Sequence, residues 1–348
     1  LTEKESSKRE RRDVIIIRRT VFSGVLISVM AMIGFWWLNQ PIGGPSQPHL
    51  IDIPPGTPFT QVSRFLHQNH LIGSEWFFTL LGRVQGVDRK IIPGEYELHA
   101  GMRPTALLEK LVKGEVYQHA LTIPEGYNVV QIADILDQKN LARKEDVLQL
   151  IRDQAFIRSL NIQASTLEGY LFPDTYLFSR YTPPEFIIRS FVKRFHEMVI
   201  PELKDQATRM GMTFQEVLTL ASVVEKETGM ASERPLVSGV FHNRLQRGIP
   251  LQSDPTVIYA IDSFDGNIRK GDLSVNSPYN TYKVRGLPPG PIANPGLAAI
   301  HAALYPTQTD FVYFVARNDG SHQFSVTLAD HNKAVEKFQR MSNGKRAS

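Results

Sequence analysis

The chain has 348 residues, enough for about two domains, and its 42% hydrophobic and 21% charged residues are globular rather than disordered usage. A formal net charge of +4 is small for this length and lies largely in the N-terminal tail, so charge gives no reason to read a nucleic-acid surface. With no cysteine, disulfides, thiolate nucleophiles and cysteine metal sites are excluded together, which suits a compartment where a free thiol is a liability.

The first element is apolar. The run from Thr20 to Leu38 carries no charged side chain, and its nineteen residues at about 1.5 Å each reach roughly 28 Å, close to the hydrocarbon thickness of a bilayer. Trp36 and Trp37 stand at its far end, where amphipathic rings favour the interface. Lys8, Arg9, Arg11, Arg12, Arg18 and Arg19 precede it, so the positive-inside bias leaves residues 1–19 in the cytoplasm, 20–38 as a transmembrane helix and the rest on the far side. A cleaved signal peptide would have an apolar region of about 7–15 residues and a small-x-small site. Asn39-Gln40-Pro41-Ile42 is not such a site.

Residues 39–48 are rich in Pro, Gly, Ser and Gln and read as a linker. A partial internal echo follows. Ile53-Pro54-Pro55-Gly56-Thr57 leads into Val62, Phe65 and Leu66; Ile123-Pro124-Glu125-Gly126-Tyr127 leads into Ile132, Ile135 and Leu136. A looser copy runs from Ile92-Pro93-Gly94 to Ala106-Leu107-Leu108. Each predicts an extended piece, a turn and an amphipathic helix. Residues 49–118 thus read as a small α+β module that resembles LysM-like modules, which bind glycan strands. It is equally readable as a packing or spacer domain. Trp76, Phe77 and Phe78 fit either an exposed sugar platform or the core face of a helix.

Residues 119–344 read as a larger α+β domain. Helices are predicted over Thr182–Val199, over Thr213–Thr228 with Thr213 as cap, and from Ser232 through Leu245 to near Gly248. Residues 271–296 are loop-like. Phe311–Ala316 is short and apolar as a buried strand would be, with Gly320–Val326 as its hairpin partner and Leu328–Met341 as a closing helix.

The ten histidines are scattered with no metal-ligand spacing, no Gly-x-Ser-x-Gly elbow occurs, and no phosphate-binding glycine loop precedes a helix. Carboxylate chemistry remains. Glu225 and Glu227 fall in the last turn of an apolar helix bearing Val217, Leu220, Ala221 and Val224. The negative helix end and desolvation both push their pKa upward. At the ordinary value of about 4.3, only about one glutamate in 500 is protonated at neutral pH; near 6 it is about one in ten. On the helical wheel the two acids flank the apolar stripe symmetrically, so spacing does not choose between them. A solvated, frayed helix end is the plain alternative.

Downstream loops are dense in amides, hydroxyls and aromatics: Gln252-Ser253-Asp254-Pro255-Thr256, Ser277-Pro278-Tyr279-Asn280-Thr281-Tyr282 and residues 286–296. These groups suit sugar hydroxyls and C–H faces, and prolines lower the ordering cost of binding. Loops this long are uncommon unless functional.

Taken together, these residues resemble the YceG-like family of endolytic murein transglycosylases. The likeness rests on Glu168-Gly169-Tyr170-Leu171-Phe172-Pro173-Asp174, Ala221-Ser222-Val223-Val224-Glu225-Lys226-Glu227-Thr228, Phe241-His242-Asn243-Arg244-Leu245, Gln252-Ser253-Asp254-Pro255-Thr256, Tyr279-Asn280-Thr281-Tyr282, Gly286-Leu287-Pro288-Pro289-Gly290-Pro291-Ile292 and His322-Gln323-Phe324. It spans about residues 50–340.

The resemblance implies cleavage of the β-1,4 bond between N-acetylmuramic acid and N-acetylglucosamine in peptidoglycan, leaving 1,6-anhydro ends, without cofactor or metal. It assigns the acid to Glu227, with Thr228 as a following hydroxyl similar to the Glu-Ser pairing of other lytic transglycosylases. Glu225, Gln252, Asp254, Tyr279, Asn280 and Tyr282 are the candidates for holding the sugar or orienting the acid, and Glu233 is a further one that a helix-start role explains equally well. It implies a single-pass protein of the bacterial inner membrane, its catalytic domain periplasmic, working on glycan strands beside peptidoglycan synthases. The alternatives are a lysozyme-type hydrolase and a non-catalytic glycan-binding anchor.

Overall fold

The computed structural model describes residues 2–43, 47–199, 201–261, 263–317 and 319–340; part of the linker and the end of the closing helix at Met341 lie outside them. The chain is a mostly helical α+β protein in two compact units, residues 1–119 with 179–181, and residues 120–178 with 182–348.

In the first unit, α1 (Thr2–Leu38) is one uninterrupted helix. Its segment Arg18–Leu38, 21 residues long, is long and apolar enough to cross a membrane, as an anchor or a signal segment would be. Phe22, Ile27, Met30 and Trp37 are all exposed. Beyond it, β1 (His49–Ile53) pairs antiparallel with β2 (Gly94–Leu98), with Ile51 opposite Tyr96. Between them run α2 (Phe59–Gln68) and α3 (Glu75–Val84), and α4 (Pro104–Lys113) follows. Helical spacing puts Phe59, Val62 and Leu66 on one buried face of α2. They share a core with Phe78, Tyr96, Leu98 and Leu108. Phe77 and Phe78 are core residues, whereas Trp76 is 66% exposed. Arg180 pairs with Glu95 at 2.6 Å, and Tyr181 donates to Asp52 at 2.9 Å, which tie residues 179–181 to this unit.

The second unit begins within β3 (His119–Thr122), which pairs with β4 (Thr175–Phe178). Between these strands lie α5 (Val129–Gln138), α6 (Lys144–Arg152) and α7 (Gln154–Ser159). A reciprocal cap between Asn128 and Gln131 starts α5. Next come α8 (Pro184–Met198), α9 (Pro201–Arg209) and α10 (Phe214–Glu227). Thr213 caps α10 as expected, with Glu216 returning the bond to its backbone. Then α11 (Arg234–Gln246), α12 (Asp254–Tyr259) and α13 (Leu297–Leu304) pack around α10. The wrapping is nearly complete: every residue from Val217 to Val224 is buried. The single apolar stripe read from the sequence is therefore too narrow. Helices on several sides, rather than one, cover α10.

The chain closes with the antiparallel hairpin β5 (Tyr313–Ala316) and β6 (His322–Ser325), then α14 (Leu328–Val335) and a π-helical turn over Glu336–Arg340. The expectation of a buried strand needs correction. Val315 is buried, but Tyr313 and Phe314 are only half-buried, because a sheet of two strands leaves much of both faces uncovered and the strand lines a cavity.

Candidate active site

Glu225 and Glu227 leave α10 in different surroundings. Glu225 Oε1 takes a hydrogen bond from Arg234 Nη2 at 2.6 Å, and its Oε2 takes one from the Gly296 N–H at 3.0 Å. Its side chain is only 5% exposed. Burial raises its carboxyl above the ordinary value, opposed by the Gly296 N–H and the Arg234 charge. Between the two acids, Lys226 Nζ donates to Gly126 O at 3.2 Å, fixing the helix end.

Glu227 receives the hydroxyl of Ser253, the residue before α12. Burial pushes its carboxyl up to about 7; the Ser253 bond and the charge of Arg244 work against that rise, and the charge of Asp254 adds to it. At neutral pH about half of such carboxyls carry a proton, against about one in 500 for an ordinary glutamate. One group is then poised to give a proton and to take one back.

Local backbone bonding holds Ser253 in place. Its N–H donates to Thr281 Oγ1 at 3.0 Å, and its carbonyl accepts from Thr256 Oγ1 at 2.7 Å. The Gln252 N–H donates to the Thr281 carbonyl at 3.1 Å. Gln252 itself sits at φ +53°, a left-handed conformation unusual outside glycine. Its Oε1 accepts from Arg244 Nη2 at 2.8 Å, so the strained turn is clamped from α11.

These groups line a cavity of about 640 Å³. One wall carries Glu227, Arg244, Gln252, Asp254 and Tyr282. The hairpin and α14 supply the other, with Tyr313, Phe314, His322 and His331. Tyr282 donates to Asp254 Oδ1 at 2.6 Å. Glu233 accepts from the His322 N–H at 3.1 Å and lies 2.7 Å from its Nδ1, which steadies the hairpin edge.

Of the residues expected from the sequence, Glu227, Gln252, Asp254 and Tyr282 meet at this cavity. Glu225 does not line it. Tyr279 lies 5.0 Å from the Tyr259 ring, and Asn280 is fully buried, donating to Leu273 O at 3.0 Å and Val275 O at 2.8 Å. Thr228 is also buried, and its Oγ1 accepts from the Met230 N–H at 3.1 Å. The hydroxyl beside Glu227 comes from Ser253 instead, a residue that only its place before Asp254-Pro255 could have marked. Arg244 stands in the Phe241–Leu245 motif, but nothing in the sequence gives it a role at the site. Glu168, 2% exposed, is a third group to which the sequence gives no role, although it opens one of the family motifs. It accepts from the Val129 N–H at 3.2 Å, Tyr259 Oη at 3.1 Å and Asn294 Nδ2 at 3.1 Å, while burial pushes its carboxyl up to about 8. Gly169 beside it sits at φ +89°, where an added Cβ would come within 2.6 Å of Pro291. Among the described residues, no three His, Asp or Glu side chains are gathered as metal ligands would be.

Fold and cavity together describe a mostly helical α+β protein with a raised carboxyl on the wall of a largely polar cavity. The chain belongs to the YceG-like family, whose model matches residues 51–337. It is 36% identical over 312 residues to a Bacillus subtilis protein named endolytic murein transglycosylase, covering 85% of this chain and 86% of that one. A Streptococcus pneumoniae protein of the same name is 33% identical over 318 residues; the match covers 82% of this chain and 57% of the relative's length. A crystal structure of a yceG-like protein from Listeria monocytogenes superimposes with a TM-score of 0.59 at 34% identity, covering 82% of this chain and 98% of that one.

Proposed function

We propose that this protein is an endolytic murein transglycosylase with Glu227 as its single acid and base. The observation that carries the reading is a carboxyl raised to about 7 on the wall of a cavity of about 640 Å³, in a family whose curated relatives bear that name. Protonated Glu227 would give its proton to the glycosidic oxygen as the bond from that oxygen to C1 of the muramyl sugar breaks. The 6-hydroxyl of the same sugar then closes on C1, and the Glu227 carboxylate takes its proton. No water enters, and the carboxyl ends as it began, ready for another cut. Gln252, Asp254 and Tyr282 would hold the sugar beside the acid. Glu225, Tyr279 and Asn280 would act at one remove, by fixing the helix end and the loops.

The first unit, with its antiparallel β1–β2 pair and its helices, we read as a LysM-like module. The apolar helix we read as a single-pass anchor with its basic end in the cytoplasm. That topology would keep the groove near the outer face of the membrane, beside the synthases from which new glycan emerges.

Mass spectrometry of digested peptidoglycan tests the reaction. Wild-type protein is expected to leave 1,6-anhydro-muramyl ends. Reducing ends alone would mean a hydrolase, in which Asp254, on the same cavity, would be the natural second carboxylate. A Glu227→Gln variant preserves shape and removes the proton, and is expected to lose on the order of 10²–10⁴ in rate. Undiminished cleavage by that variant would overturn the assignment of the acid.

A further inference from the structure

Arg244 is 7% exposed and lies on the same wall of the cavity as Glu227. A guanidinium has five N–H donors and keeps its charge in proteins. Two of the five are spent here, on Leu251 O at 3.0 Å and Gln252 Oε1 at 2.8 Å. Nε is buried without any partner. Among the described residues no carboxylate forms an ion pair with this cation, in contrast to Arg234, which has Glu225 at 2.6 Å and Glu125 at 3.4 Å. Asp254, the nearest available anion in sequence, is engaged by Tyr282.

Glu227 acts on Arg244 only as a charge beyond ion-pair distance. A buried guanidinium with no hydrogen-bonded carboxylate is costly and is retained where something pairs with it. Tyr313 supports the guanidinium, which stands 5.5 Å from its ring centre. His331, 5.1 Å from the same ring, lines the same cavity, and its Nδ1 too is buried without a partner. Two unpaired polar groups thus share one aromatic on the wall of one cavity. Planar, forked donors of this kind match a carboxylate.

We infer that Arg244, backed by Tyr313 and His331, forms a subsite for a carboxylate of the substrate. The inference rests on the transglycosylase reading, because it concerns the strand that would lie across Glu227. Murein offers that chemistry from two sources beside the scissile bond. One is the lactyl group of a muramyl sugar whose peptide has been removed. The other is an acidic residue of the stem peptide itself.

Four substrates separate the sources: strands with intact stem peptides, the same strands with carboxylates amidated by carbodiimide and ammonia, amidase-stripped strands with free lactyl carboxylates, and stripped strands then amidated. The expected result is that wild-type protein prefers the charged member of one pair by about tenfold or more in kcat/KM. Arg244→Gln should bring that ratio to about one, and Arg244→Lys should restore part of it. Preference within the first pair identifies the peptide; preference within the second identifies the lactyl group. Equal cutting of charged and amidated strands by wild-type protein in both pairs overturns the subsite, whether or not the variants fold. So does an equal loss on all four substrates with Arg244→Gln, which would mean that the arginine only tunes Glu227. Binding of the same strands to the Glu227→Gln protein, with and without Arg244→Gln, reads the subsite independently of turnover. A missing anhydro product with intact binding preference would sink the transglycosylase reading and leave the subsite standing.

Discussion

Arg234 Nη2 lies 2.6 Å from Glu225 Oε1, while Glu227, two residues further on, takes the neutral hydroxyl of Ser253. The two acids share a helix end and a burial that raises both carboxyls. Their partners separate them. A guanidinium is a permanent counter-ion for Glu225. A hydroxyl can donate to the ionised form of Glu227 or accept from the protonated one, so it accompanies a proton transfer in either direction.

The first prediction concerns the pH profile. On the proposed reading the competent general acid is the protonated form of Glu227, a group held up to about 7. With one carboxyl in both roles, kcat/KM should be flat well below pH 7 and fall about tenfold per unit above it. Steady-state rates across about pH 5–9 check this. A bell with a second limb from another carboxylate would favour the two-acid hydrolase.

A second prediction follows from the Ser253 bond, which holds the Glu227 carboxyl lower than burial alone would. Ser253→Ala should therefore move the midpoint of that profile to higher pH. It should also reduce kcat on the order of tenfold or more, through lost orientation of the acid. A rate loss with an unmoved midpoint would mean that the serine serves only the fold.

Arg234→Met tests the other acid. It would leave Glu225 buried without its cation, and removing one member of a buried pair costs about 3–5 kcal/mol. Thermal or denaturant unfolding should show a loss of that order near pH 7. Because burial raises the Glu225 carboxyl, the loss should shrink toward acid pH, as protonation removes the unpaired charge.

Glu168 gives the fourth. Its folded-state carboxyl is raised to about 8, so the native state holds a proton that the unfolded chain has released above its ordinary value of 4.5. The associated stability is fully present below 4.5 and is lost as pH rises toward 8. The slope approaches about 1.4 kcal/mol per pH unit for one such group. Glu168→Gln should flatten the decline in melting stability across that window by one proton's share. An unchanged slope would mean that Glu168 is ionised in the fold.

What was legible in the sequence was mostly local. The cap at Thr213, the extended-turn-helix units and the pair of acids closing α10 all rest on residues within a few positions of one another. Spacing alone leaves Glu225 and Glu227 equivalent, because a helical wheel presumes one wet face and α10 has almost none; only the family resemblance separates them. Ser253 reaches Glu227 only through a tertiary contact, steered by Thr256 and Thr281, which bond to each other at 2.8 Å, and Arg244 joins the same cavity from α11. Asn280 looked like a sugar ligand by type, yet its amide serves the loop's own carbonyls, which need partners once buried.

The cavity's two walls come from distant stretches of chain: the acid at the end of α10, and the facing wall from the hairpin and α14, with lining that reaches Gln339. A ribosome makes the acid long before it makes the wall opposite. A chain broken off ahead of Tyr313 would still contain Glu227, but without the surface that encloses it. Ser253 would still meet its carboxyl, but half of the cavity lining would be missing. On the proposed reading the groove is completed last, so a growing chain holds its acid before it can hold a strand.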